Sequence, residues 1–162
     1  MARKRALVMV GVGIAIGAVG VAAAGLWLTS PTESIVLQPN DRDVVTVGKA
    51  VYAAQCASCH GANLEGEPNW RERGPDGRLP APPHDETGHT WHHPDEMLFE
   101  LTKYGLPKQI GNGEPYYSNM PAYETVLSDE EIVAVLSYIK SRWPHDVQAR
   151  HDELNARMGA QQ

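Results

Sequence analysis

Residues 56–66 read CASCHGANLEG. The stretch holds both cysteines of the 162-residue chain, and a histidine follows the second directly. Using the only two thiols three positions apart, with an imidazole attached, calls for a chemical reason. A thioredoxin-type redox pair expects a βαβ context, and no strand-like run flanks the motif. A zinc site needs more ligands. No third cysteine exists, and His84, His89, His92, His93, His145 and His151 do not fall at finger-like spacing. A disulfide across two residues closes too small a loop to add much stability.

A fourth reading uses Cys56, Cys59 and His60 together. C-x-x-C-H is the attachment site of c-type haem. Each thiol adds to one vinyl group, and the adjacent histidine is held under the iron as proximal ligand. The two-residue spacer matches the separation of the vinyls, and one helical turn presents all three groups to one porphyrin edge. Composition agrees. The chain has 15 Gly, 12 Pro and a single Phe, so much of it should be loop. A short, loop-rich domain has a thin apolar core, and one covalent haem supplies the missing volume.

The N-terminus begins MARKR, and residues 6–28 are uncharged, apolar or Gly. A basic cluster followed by a run of this length exports a chain or anchors it in a membrane. Ala22-Ala23-Ala24-Gly25 has the look of a cleavage site, but Leu26-Trp27-Leu28 continue the apolar run. We read residues 1–28 as an uncleaved signal anchor and transmembrane helix. Arg3, Lys4 and Arg5 then stay cytoplasmic, and the rest lies outside. Gly13 and Gly17 form a GxxxG pair. Net charge is −6 even with those three basic residues counted. That excludes nucleic-acid binding, which needs a basic face, and suits either solubility or a basic docking partner.

Residues 29–42 read as a linker, 43–144 as the haem domain and 145–162 as a polar tail, frayed or disordered. Val44, Val47, Val51 and Tyr52 fall at helical spacing with Gly48 beside them, so 43–55 reads as a helix running into the cysteines. Pro94-Asp95-Glu96 opens a second helix, which Gly105 stops. Ser128 with Glu131 forms a capping box ahead of Ile132, Val135, Leu136 and Ile139, and Trp143-Pro144 ends that helix. The fold class is all-α with large loops.

An electron-transfer haem needs a sixth ligand, and a Met thioether favours ferrous iron. Met1 and Met9 belong to the N-terminus, Met158 to the tail, and Met97 sits at a core-like helical position. Met120 remains, in a loop just before the last helix and stiffened by Pro121.

The series Gly48-x-x-x-Tyr52, CASCHG, NMPAY (119–123) and LSDEEIVAVLSYIKSRWP (127–144) resembles the bacterial monohaem class I cytochromes c, over roughly residues 43–144. The resemblance implies a few helices around one haem, with the first and last crossing at Gly48 and Tyr138. It implies that a proline carbonyl, Pro82 or Pro83, accepts from His60, with the register blurred by the long insert 66–80. It implies that the Trp91 indole bonds a haem propionate. Trp70, Arg71 and Arg73 are further candidates to neutralise propionates, and Asn119 to tune the Met120 sulfur.

The function implied is a one-electron carrier rather than an enzyme. His60 and Met120 hold the iron, and the anchored haem domain sits on the periplasmic side of a bacterial inner membrane. Partners by family analogy are a quinol–cytochrome c reductase and a terminal oxidase of a respiratory chain. Two other readings stand beside it: a haem-bearing subunit of a larger dehydrogenase or oxidase, and a haem-based gas sensor with an open or labile sixth position.

Overall fold

Asp41 accepts the backbone N–H groups of Asp43 (2.9 Å) and Val44 (3.1 Å), and so caps α1, Arg42–Val51. A short polar side chain ahead of an apolar periodic run is a strong helix start. The computed structural model describes residues 34–107 and 116–160. In it α1 continues directly into a π-helical turn, Tyr52–Cys56, and then into α2, Ala57–His60. A 3₁₀ turn, Thr90–His92, precedes α3, Asp95–Tyr104; α4, Asp129–Ser141, and α5, His145–Gly159, follow. Among the described residues there is no strand. The expected membrane-spanning segment, 6–28, lies outside them, and no described helix is long and apolar enough to cross a membrane.

The central contact joins α1 to α4. A Cβ on Gly48 would collide with the Ala134 carbonyl and stand 2.9 Å from the Tyr138 Cβ. Only hydrogen at that position lets the two backbones touch. One turn on, the rings of Tyr52 and Tyr138 meet at 5.5 Å between centroids. The capping box of α4 is complete: the Ser128 hydroxyl accepts from the Glu131 N–H, and the Glu131 carboxylate accepts from the Ser128 N–H. Such a cap contributes about 1 kcal/mol. The α4 stripe Ile132, Val135, Leu136 and Ile139 is buried against Leu98 and Phe99 of α3 and Val51 and Tyr52 at the α1 junction.

Four details depart from the periodicity argument. Val47 is 48% exposed, because the α1 face toward α4 centres on Gly48 and Val51. Met97 is also exposed, on the outer side of α3. The linker's second half belongs to the folded unit: Leu37 is buried, its N–H donates to Asp95 Oδ2 (2.9 Å), and Gln38 N–H donates to Ser137 Oγ (2.8 Å). The polar tail folds as α5 and docks through one narrow face.

That face carries Val147 and His151, both buried, and the half-buried Asn155. His151 Nε2–H donates to the His93 carbonyl (2.9 Å), and the ring meets Trp143 edge-on at 5.1 Å. Asn155 bonds Asp95 twice: its Oδ1 accepts the Asp95 N–H (2.8 Å), and its Nδ2 donates to Asp95 Oδ1 (2.9 Å). Lys140 of α4 reaches Asp152 at 2.6 Å. Asp95 therefore ties together α3, α5 and the entering chain at Leu37.

Gly48→Ala should destabilise the domain by about 1–3 kcal/mol through overpacking at the crossing, read from denaturant midpoints of the holoprotein. Acid should loosen the α5 clasp. Burial, with Lys140 nearby, holds the His151 imidazole below its ordinary value, against the opposing pull of Asp95. The unfolded chain then binds a proton the folded one resists. This contribution is complete above pH ~6.5 and is lost as pH falls below it. His151→Gln should flatten the acid limb of Tm against pH; an unchanged limb would remove His151 as its source.

Candidate functional site

The π-turn Tyr52–Cys56 carries the helix into CASCH with one residue more than an α-turn, and Ala57 N–H reaches back to the Tyr52 carbonyl. Such turns re-aim the side chains that follow, often at functional sites. Here Gly48, Val51 and Tyr52 pack in the core, while Cys56, Cys59 and His60 line a cavity of about 310 Å³. Both cysteines are free. Burial, and then the neighbouring Cys59, push the Cys56 thiol up to about 11, so it stays protonated and neutral at pH 7.

His60 is fixed on several sides. Its Nδ1 lies 2.8 Å from the Pro82 carbonyl, so Nδ1–H is the donor and Nε2 keeps its lone pair. Burial lowers its proton affinity, against the opposing effects of the Pro82 carbonyl and Glu67, which suits a neutral metal-ligating imidazole. The Tyr52 hydroxyl donates to the Gly61 carbonyl (2.9 Å), with the His60 carbonyl at 3.3 Å, and so clasps the end of the motif. Burial, and then Cys56, hold that phenol far above its ordinary value, so it remains a donor.

Pro82 reaches His60 because the long insert closes on itself. Glu67 N–H donates to the Ala81 carbonyl (2.8 Å), and Ala81 N–H donates to the Glu67 carboxylate (2.6 Å). Gly66, at φ +67°, lies under Pro82-Pro83, where a Cβ would strike the Pro83 nitrogen. Leu64 also takes a positive φ, +72°, which costs about 1 kcal/mol for a residue with a Cβ. It is buried, and its carbonyl accepts the His84 N–H (2.8 Å).

Met120 lines the cavity with Cys56, Cys59 and His60, its N–H donating to Ser118 Oγ (3.0 Å). Its loop is tethered to the motif: the Tyr123 hydroxyl donates to the Gln55 carbonyl (2.9 Å), and the Tyr123 N–H to the Lys103 carbonyl (3.0 Å). Asn119 also lines the cavity. Leu98, Leu127, Val135 and Ile139 make its wall apolar.

Trp91 does not line this cavity. Its indole N–H donates to the Glu86 carbonyl (3.3 Å) and its ring stacks on His92 at 3.7 Å. The tryptophan on the cavity wall is Trp70, from the insert; its ring runs parallel to His89 at 5.7 Å and under the Arg71 guanidinium at 4.1 Å. Arg73 instead binds the Gly77 carbonyl (2.7 Å). His84 was not singled out by spacing, yet it lines the cavity and stacks on His60, centroids 3.9 Å apart. Burial, with His60 and His89 beside it, holds His84 neutral. Its one sequence signal is adjacency to the Pro82-Pro83 pair.

A family model described as Cytochrome c matches residues 45–143. No curated protein and no solved structure matches the chain. The chain belongs to the cytochrome c family, whose members bind covalent c-type haem and transfer electrons. The residues present fit that group: two free thiols at C-x-x-C-H spacing, a neutral imidazole, a thioether and apolar walls face one cavity.

Tyr52→Phe should cost about 1 kcal/mol, the value of one buried hydrogen bond, measured as a drop in the denaturant midpoint of the holoprotein. An unchanged midpoint would mean that the Gly61 and His60 carbonyls gain nothing from the phenol.

Proposed function

We propose that this member of the cytochrome c family is a bacterial, membrane-anchored one-electron carrier with His60 and Met120 as the axial ligands of its haem. The observation that carries the reading is that both thiols, the His60 imidazole and the Met120 thioether line one apolar cavity. When bound, the haem supplies a single iron that changes between ferrous and ferric states.

The chain's residues do the rest. Cys56 and Cys59 hold the group through thioethers. The Pro82 carbonyl keeps the proton on His60 Nδ1 and leaves Nε2 for the metal. Met120 favours the ferrous state and raises the potential. The wall of Leu98, Leu127, Val135 and Ile139 keeps water away, so that a change of one charge is strongly felt. No substrate bond changes in this role.

The uncharged run 6–28 behind Arg3, Lys4 and Arg5 supports a single-pass anchor in the inner membrane with the haem domain on the periplasmic side. Tethering raises the carrier's effective concentration near membrane redox complexes. A quinol-oxidising reductase upstream and a terminal oxidase downstream are the partners proposed.

The test is the visible spectrum of the matured protein, oxidised and reduced, with and without carbon monoxide. A low-spin c-type spectrum with a far-red Met–iron band and no carbon monoxide response is expected. Met120→Ala should then open the sixth position, lower the potential and admit carbon monoxide. A wild type that is high-spin or binds carbon monoxide rapidly would replace the carrier reading with an open-site sensor or catalytic subunit.

A further inference from the structure

His84 meets His60 face to face, with ring centroids 3.9 Å apart and an angle of 25° between planes. The Pro82 carbonyl alone fixes only one atom of the His60 ring, Nδ1. A single hydrogen bond sets the tautomer but leaves the ring free to rock about an axis through that bond. A flat, immobile neighbour parallel to the ring removes that freedom.

His84 is such a neighbour, because its backbone and one edge of its ring are held. Its N–H donates to the Leu64 carbonyl (2.8 Å), and its carbonyl accepts the Trp143 indole N–H (2.8 Å). Its ring Nδ1 lies 2.9 Å from the hydroxyl of the buried Thr90. The Tyr52 ring meets it edge-on at 6.2 Å. Leu64 and Trp143 thus hold its backbone, while Thr90, Tyr52 and His60 meet its ring, which lies along the His60 face and lines the cavity.

We propose that His84 is a positioning residue that sets the plane of the His60 imidazole about the iron–nitrogen axis. The proposal rests on His60 being an axial ligand. The plane of an axial imidazole, together with the orientation of a thioether ligand opposite it, decides which iron d orbital carries the unpaired electron of low-spin ferric haem. That orientation shapes how spin spreads over the porphyrin, and with it the electronic path from the haem edge. His84 acts through a planar contact, and so volume alone cannot replace it.

The experiment is proton NMR of the haem methyl groups in the ferric holoprotein, whose paramagnetic shifts report the imidazole plane. His84→Leu keeps the volume and removes the flat face; His84→Phe keeps the flat face and removes the bond to Thr90. The Leu variant should redistribute the four methyl shifts, and the Phe variant should return them toward wild type. If the Leu variant forms no holoprotein, His84→Gln, which can keep a bond to the Thr90 hydroxyl but has no ring, should move the same resonances. A Leu variant, or the Gln variant in its place, with the wild-type pattern would overturn the proposal, as would a Phe variant displaced as far as the ringless one. A wild type lacking a low-spin, histidine-ligated signal would instead overturn the ligand reading beneath it.

Discussion

At Gly48 the backbones of α1 and α4 come so close that the Ala134 carbonyl fills the space of a side chain. This crossing sets where everything downstream falls. It fixes the axis of α1, and the π-turn at Tyr52–Cys56 then aims the C-x-x-C-H motif at the cavity. The other side of the same α4, through Val135 and Ile139, forms the wall of that cavity. A helix pair with bulkier residues at the crossing would separate the thiols from the wall that must face them. The hydrophobic burial of Ile132, Val135, Leu136 and Ile139 drives the association, but the glycine sets its distance.

Around this pair the loops act by hydrogen bonds more than by apolar burial. Pro82 and Tyr52 brace the two ends of the His60 residue, ring and carbonyl. Tyr123 ties the Met120 loop to Gln55, beside the first cysteine. On the far side, Asp95 joins the chain entering at Leu37 to α3 and α5. Each bond is worth little alone, and each leaves a buried group unpaired if broken, which is where the larger cost lies.

The chemistry of the site was legible because it is written in local order. C-x-x-C-H names its cofactor by spacing, Ser128 with Glu131 announces a helix, and the stripe from Ile132 to Ile139 names its buried face. What was not legible depends on partners distant in sequence. α5 has too few apolar residues to read as a docked helix, and its attachment runs through His151, Asn155 and Asp152 to groups on other elements. Val47 fits a helical stripe with Val44 and Val51, until the position of Gly48 decides which side is inner. Trp91 and Trp70 could not be told apart by composition; only the path of the insert puts Trp70 on the cavity wall. The stack of His84 on His60 follows from the Leu64 turn and the Trp143 indole, neither of which has a motif.

The insert is closed at its neck by two bonds between Glu67 and Ala81. The approach of Pro82 to His60 is therefore anchored at the neck, and residues 68–80 form the loop beyond it. Their length can change without moving that neck, although Trp70, Leu79 and Pro80 return to the cavity wall. In evolutionary terms this is an open slot: the segment can be lengthened, shortened or exchanged while the carbonyl that serves His60 keeps its place. Because Trp70 belongs to that segment, the same slot lets the cavity wall diversify while the Pro82 carbonyl keeps its hold on His60.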